Sequence, residues 1–312
     1  MRAIRRALAK RHGAKYVSPY KASEQAIETV HESSYIQDIK QFCANGGGNW
    51  DQDTVASKQT WDAALASAGL AQWAAQTACE GASGRNTPFA LGRPPGHHAV
   101  EDDAMGFCYI NNAAVAAQTV LNDSSNTVES ALIFDWDVHH GNGTQDIFYT
   151  DSDVLYASTH EEGLYPGTGK ISETGTGGAD GTTLNVPLPA GAGDADYLAV
   201  MESLLRPVTE AFDPDVFIVS AGFDAHRHDP ISRMRVSTEG YALLTERVRT
   251  LADDVDAALA FVLEGGYGLD TLAEGVSIVH ETFDGRDPME LDDSMQDSTT
   301  PLIQSVKQAL KL

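Results

Sequence analysis

The chain has 312 residues, of which 42% are hydrophobic, and its 45 Asp and Glu against 21 Lys and Arg give a formal net charge of -24. A chain of this length and hydrophobic content can bury one large core, so we expect a single domain over residues 1–312. The negative charge disfavours contact with phosphate backbones and argues against a nucleic-acid partner. The acidic residues are dispersed and Lys is scarce, which is typical of a halophile's cytoplasmic protein.

The cysteines and the N-terminus indicate the compartment. Cys43, Cys79 and Cys108 are odd in number and lack C-x-x-C spacing, so neither a disulfide framework nor a cysteine zinc site is expected. The basic start runs into Lys10 and Arg11 without an apolar segment, and no later stretch approaches the length of a membrane span. We therefore predict a cytoplasmic protein without a membrane partner, and the sequence leaves its oligomeric state open.

Predicted helices and strands alternate along the chain. Helices are expected over 2–11, 32–44, 61–79, 111–121, 145–149, 194–210, 238–251 and 269–283, and strands over 88–91, 131–134, 154–158, 216–219 and 260–263. The Gly-rich segments 46–53 and 164–181 read as loops. The alternation predicts an α/β fold, with a mostly parallel central sheet and helices on both faces.

Side chains that can bind a metal or move a proton follow several of these strands. They are His97 and His98 after 88–91, Asp135, Asp137 and His139 after 131–134, Asp224 after 216–219, and Tyr267 after 260–263. Parallel strands end at the same edge of a sheet, and ligands bind in the crevice beyond that edge. We therefore expect these side chains to lie close together.

The residue types suit metal-assisted hydrolysis. Asp137, His139 and Asp224 offer oxygen and nitrogen ligands for one divalent ion, zinc or iron(II), with a position left for water and a carbonyl oxygen. His98 is the candidate general base, with His97 as its electrostatic partner or proton donor.

Three further residues would support this chemistry. Asp135 and Asn142 are the available partners for orienting the two imidazoles differently. Tyr267 could donate its hydroxyl to a tetrahedral oxyanion, although a tyrosine packed after a strand would explain this residue equally well.

Six motifs occur in an order that resembles the histone deacetylase family of metal-dependent amidohydrolases. They span 93–99, 106–111, 135–145, 165–169, 221–226 and 264–269, and the run 137–145 is similar to class II deacetylases and their bacterial relatives. The resemblance covers nearly the whole chain. It implies the three-layer arginase/deacetylase-like fold, zinc on the Asp-His-Asp set, and removal of acetyl groups from N-acetylated lysine side chains.

The resemblance also implies residues that composition would not indicate. An acetyl-lysine tunnel would be formed by Gly106, Phe107, Tyr165 and Gly266, with Asn142 orienting His98 without adding charge. A structural potassium ion would be held by Asp135, Ser158 and main-chain carbonyls of Asp137, His139 and Thr159. A second monovalent cation would lie near Phe148, Asp151, Val154 and Tyr197.

One departure and three alternatives accompany this interpretation. Family members usually carry a strand and a pocket loop before the helix at 2–8, so we expect one rim of the tunnel to be missing, or the start codon to be misassigned. The substrate could instead be an acetylpolyamine or another small acetylated amine. A two-manganese ureohydrolase would need a second D-x-D pair, where this chain has Asp224-Ala225-His226. A catalytically inactive binder of acetylated ligands is the third alternative.

Overall fold

The computed structural model describes residues 1–11, 16, 20–81, 87–287, 289 and 294–312. The strands are β1 (Gly47–Asn49), β2 (Val55–Ser57), β3 (Phe89–Ala90), β4 (Ala131–Asp135), β5 (Val154–Glu161), β6 (Thr183–Leu188), β7 (Val216–Ala221) and β8 (Ala258–Leu263). The helices are α1 (Arg2–Arg11), α2 (Glu24–Ile27), α3 (Ser33–Ala44), α4 (Thr60–Glu80), α5 (Asn112–Leu121), α6 (Asn142–Phe148), α7 (Asp194–Val200), α8 (Arg206–Phe212), α9 (Thr238–Asp254), α10 (Leu269–Phe283) and α11 (Thr299–Leu310), and a π-helical turn, Met201–Leu205, joins α7 to α8.

Six strands form the central sheet in the order β3-β8-β7-β4-β5-β6. Every neighbouring pair in this sheet is parallel. The chain adds β5 and β6 on one side of β4 and then returns to add β7 on the other side. The junction between β4 and β7 is therefore the point where the strand order reverses, which is where α/β sheets bind their ligands.

Alternate residues of the central strands face two separate apolar layers. In β4, Leu132 and Phe134 pack in one cluster with residues of α1, α9, α10 and α11. Ile133 packs in a second cluster on the opposite face, with residues of α3, α4 and α5. All five residues of β4 are buried, as expected for a parallel strand covered on both faces. The predicted α/β fold is confirmed.

The Gly-rich segment 46–53 was predicted as a loop, and this prediction was wrong in part. Its first half forms β1, which pairs antiparallel with β2. Gly47 and Gly48 have positive φ angles of 75° and 140°, which glycine adopts readily. A Gly-rich composition normally indicates a loop, so it did not predict this strand. This separate two-stranded sheet depends on main-chain hydrogen bonds rather than on an apolar pattern, and this is why periodicity missed it.

Candidate active site

The carboxyl ends of β4 and β7 bring three candidate ligands together. Asp135 of β4 lies in register with Ser220 of β7, so the residues that follow each strand are neighbours. One ligand atom each from Asp137, His139 and Asp224 lies within 4.8 Å of the others, and all three residues are buried. This is the largest set of metal-binding side chains found among the described residues, and it is the set predicted from the sequence.

The donor atoms of this cluster fit a cation. Nδ1 of His139 lies 3.1 Å from Oδ1 of Asp137 and 3.2 Å from Oδ2 of Asp224. Oδ2 of Asp224 accepts no well-formed hydrogen bond from any residue that the structure describes. Burial alone would lower the pKa of His139, but the two carboxylates outweigh it and raise that pKa to about 11. The pocket thus stabilises positive charge, and its mixed oxygen and nitrogen donors suit a divalent transition ion.

The adjacent imidazoles of His97 and His98 lie beside the cluster, with ring centroids 4.1 Å apart. Nδ1 of His97 lies 2.9 Å from Oδ2 of Asp135, whereas Nδ1 of His98 lies 2.8 Å from Oδ1 of Asn142. Nε2 of His97 lies 3.9 Å from a carboxylate oxygen of Asp137. One imidazole is therefore bound to a carboxylate and the other to a neutral amide.

These different partners separate the two basicities. Burial alone would lower the pKa of His97, but the carboxylates of Asp135 and Asp137 outweigh it and raise that pKa to about 10. Burial and the neighbouring His97 charge lower the pKa of His98 well below its ordinary value. At neutral pH the His97 imidazole is protonated on both ring nitrogens and positively charged. The His98 imidazole is neutral and keeps an Nε2 lone pair.

Aromatic side chains surround the opening of the site. The ring of Phe107 lies 5.9 Å from that of Tyr267, and the ring of Tyr165 lies 5.1 Å from that of His98. Phe107 and Tyr165 are 41% and 36% exposed, so they form the rim. A Cβ on Gly106 would stand 2.3 Å from the His98 ring, so only glycine fits behind the imidazole.

The Tyr267 hydroxyl is suited to donate a hydrogen bond. Burial, followed by the carboxylates of Asp224 and Asp137, raises the pKa of Tyr267 well above its ordinary value. The phenol therefore stays protonated throughout the physiological pH range. Gly266, the remaining residue predicted for the tunnel, directly precedes it and has a φ of +124°.

The residues predicted for monovalent cations lie in two places. Asp135 pairs in register with Ser158 at the carboxyl end of the sheet, and Thr159 follows in β5. Phe148 accepts a hydrogen bond from the main-chain N–H of Asp151 before β5 begins at Val154. Tyr197 is buried in α7, and the described contacts do not connect it with the second group.

Glu264 is a buried acid at this edge that sequence reasoning missed. Glu264 follows β8 directly and is 0% exposed. Its Oε2 accepts hydrogen bonds from the main-chain N–H groups of Gly96 and His97, at 2.7 and 3.2 Å. Burial raises the pKa of Glu264 to about 7. The carboxylate ties the histidine loop to β8, and its position after an apolar strand was the available signal.

Comparison with known proteins places these motifs in a family. The family model of the histone deacetylase domain matches residues 1–283. The chain is 41% identical over 259 residues to a probable deacetylase of Archaeoglobus fulgidus, which covers 81% of this chain and 69% of that protein. It is 39% identical to the chloroplastic histone deacetylase 10 of Oryza sativa subsp. japonica, over 85% of this chain and 61% of that protein.

Two further comparisons concern an amidohydrolase and a solved structure. A histone deacetylase-like amidohydrolase of Pseudomonas aeruginosa is 38% identical over 79% of this chain and 64% of that protein. The chain therefore spans less than two thirds of the rice and Pseudomonas proteins. The crystal structure of the HDA15 HD domain superposes with a TM-score of 0.91 and 34% identity, over 99% of this chain and 85% of that one. Among the helices that the structure describes, none is both long and apolar enough to cross a membrane.

Proposed function

Because the chain belongs to the histone deacetylase family, we propose that it is a zinc-dependent amidohydrolase that removes acetyl groups from N-acetylated lysine side chains. The observation that carries this proposal is the buried cluster of Asp137, His139 and Asp224 beside the paired imidazoles of His97 and His98. A phenol and two aromatic rim residues complete a site that could admit a narrow, uncharged acetamide.

Asp137, His139 and Asp224 would hold the ion. When bound, a divalent metal supplies Lewis acidity that lowers the pKa of a water molecule and polarises a carbonyl group. His98, kept neutral by burial, accepts the proton of the attacking water. His97 carries the compensating positive charge, with its Nδ1 bound to Asp135. Its Nε2 proton would be available to the leaving amine.

Tyr267 and the rim residues bind the substrate. The protonated phenol donates a hydrogen bond to the acetyl oxygen as negative charge develops there. The rings of Phe107 and Tyr165 would enclose the aliphatic stem of the acetylated lysine and exclude water.

We also propose a structural potassium ion near Asp135 and Ser158, which meet at the carboxyl ends of β4 and β5. Potassium dependence of thermal stability would support this site, and equal stability in sodium and potassium salts would count against it. A second monovalent ion, the cytoplasmic location and the halophilic character of the protein stay predictions.

The test is acetate release, measured in parallel from an acetyl-lysine peptide and from acetylspermidine. We expect acetate from the peptide, loss of activity with a chelator, and recovery on addition of Zn²⁺. Release from acetylspermidine alone would shift the substrate to small amines. Acetate release that is indifferent to both chelator and hydroxamate would exclude the metal mechanism, and two metal ions per chain would favour a ureohydrolase.

A further inference from the structure

The segment that carries Tyr267 has little internal support for one conformation. Tyr267 follows Gly265 and Gly266 and precedes Gly268, in the connection from β8 to α10. Glycine allows many backbone conformations, and Gly266 adopts a φ of +124°, which other residues rarely do. An oxyanion donor must be held within a fraction of an ångström to be effective. The tyrosine therefore needs an anchor outside its own segment.

Asp229 provides main-chain contacts on both sides of Tyr267. Its Oδ2 accepts hydrogen bonds from the N–H of Tyr267 at 2.8 Å and from the N–H of Gly268 at 3.0 Å. Its Oδ1 accepts a third from the N–H of Ile231 at 3.2 Å. Asp229 is only 7% exposed, so these bonds are shielded from competing water.

The charge of Asp229 is balanced by main-chain groups. No Lys or Arg side chain of the described residues forms an ion pair with it, and Gly268 is the N-cap of α10. A carboxylate at this end of a 15-residue helix also interacts favourably with the helix dipole. Burying a carboxylate is costly unless hydrogen-bond donors compensate it, and the described donors to Asp229 are main-chain N–H groups. We therefore expect this acid to fix the backbone.

The peptide unit between Gly266 and Tyr267 is held at both ends. Nη2 of Arg93 donates to the carbonyl oxygen of Gly266 at 3.0 Å, opposite the N–H that Asp229 binds. The N–H of Asp229 itself donates to the carbonyl of His226 at 2.7 Å, in the segment that follows Asp224. The position of the phenol is thus tied to the loop that carries a metal-ligand candidate.

We propose that Asp229 is a positioning residue for the reaction: it fixes the backbone of Tyr267 so that the hydroxyl lies over the acetyl oxygen. This inference rests on the proposed function. Asp229 variants should therefore have a lower kcat, and this loss should occur only when the Tyr267 hydroxyl is present.

The kinetic test compares Asp229→Ala, Tyr267→Phe and the double variant, loaded with Zn²⁺ and assayed on the acetyl-lysine peptide. We expect kcat to fall up to about 10²-fold for Asp229→Ala, with KM within about threefold of the wild type, and by about 10²–10³-fold for Tyr267→Phe. The double variant should be no slower than Tyr267→Phe. Asp229→Asn, which keeps one acceptor oxygen, should recover part of the loss. Losses that multiply in the double variant, or a change in KM alone, would overturn the proposal.

Hydrogen exchange provides a readout that does not need activity. The amides of Tyr267 and Gly268 should be protected in the wild type and exchange faster in Asp229→Ala. The matched control is Asp215→Ala, because Oδ2 of Asp215 also accepts two successive main-chain N–H groups, from Glu129 and Ser130, at 2.8 and 3.0 Å. This control should leave exchange over 264–270 and kcat unchanged. If the wild type releases no acetate, the proposed function fails, while unchanged exchange at Tyr267 in Asp229→Ala separately overturns the anchoring role.

Discussion

The two ends of the central sheet are formed by the same strands but bury very different groups. At the carboxyl end, four acids are 0% exposed: Asp135, Asp137, Asp224 and Glu264. At the amino end, Asp215 precedes β7 and remains exposed, and its hydrogen bonds join neighbouring turns. Between the two ends the strands are apolar and buried.

This difference distinguishes the carboxyl end of the sheet, which holds the candidate active site, from the amino end, which only connects the strands. Burying a carboxylate is costly unless a cation or several donors compensate it, so a cluster of such groups lowers stability unless it is paired. The amino end avoids the cost by leaving its acid in water. The carboxyl end carries the cost in the one region where the strand order reverses, which indicates that the cluster serves a ligand.

Of the changes predicted for the two ends of the sheet, metal removal from the carboxyl end should have the largest effect on activity. A chelator, or Asp224→Ala, is expected to reduce acetate release to the level of the blank. Zn²⁺ at about 100 times its Kd should raise the free energy of unfolding of the wild type by about 2.7 kcal/mol, measured by denaturant titration. Asp215→Ala should keep this stabilisation and Asp224→Ala should lose it. Equal responses of the two variants would contradict the distinction between the ends.

Acid should destabilise the protein through a buried imidazole that lies outside the catalytic pair. Asn111 donates its N–H to Nε2 of His31, and Nδ1 of His31 lies 2.8 Å from the carbonyl of Val100. Burial lowers the pKa of His31 to about 4. The unfolded chain therefore takes up a proton first as the pH falls, and stability is lost between about pH 6.5 and 4, by at most about 3 kcal/mol.

The measurement is the free energy of unfolding at pH 7 and pH 4.5, for the wild type and for His31→Gln. The difference between the two proteins isolates this group from the many titrating carboxylates. The variant should depend less on pH over this window. Identical pH dependence would show that His31 does not contribute.

Loss of the amide partner of His98 should have a smaller effect on turnover. Asn142→Ala removes the acceptor 2.8 Å from Nδ1, so the imidazole is no longer held in one tautomer and orientation. We expect kcat to fall about 10- to 100-fold, the range for groups that orient catalytic ligands. The exposed Asn122, at the end of α5, provides the control, and Asn122→Ala should retain wild-type kcat. Similar kcat values for the two variants would argue against the orienting role.

The smallest effect is expected at the amino end. Asp215→Ala removes two main-chain hydrogen bonds whose donors can turn to water, so the free energy of unfolding should fall by about 1 kcal/mol. Turnover should stay at the wild-type value, measured by steady-state acetate release. A large loss of kcat from this variant would show that the two ends of the sheet are coupled.

Local sequence patterns were sufficient for much of the fold. The bounds of α1 and α10 agree with the prediction, because amphipathic spacing is a property of a short stretch. The positions of Asp137, His139 and Asp224 after apolar strands were equally readable, since parallel strands end at one edge. The acidic composition of the segment 287–297 predicts a solvated loop, but part of this segment lies outside the described residues.

What the sequence by itself determined is therefore the alternation of strands and helices, and which residue types stand at the strand ends. Only the tertiary structure decided how those residues are paired. It brings Glu264 against the N–H of Gly96, 168 positions away, and Asp229 against the N–H of Tyr267, 38 positions away. It also gives the adjacent imidazoles of His97 and His98 opposite pKa shifts. Such contacts depend on long-range packing and on burial, which no local pattern of residues encodes.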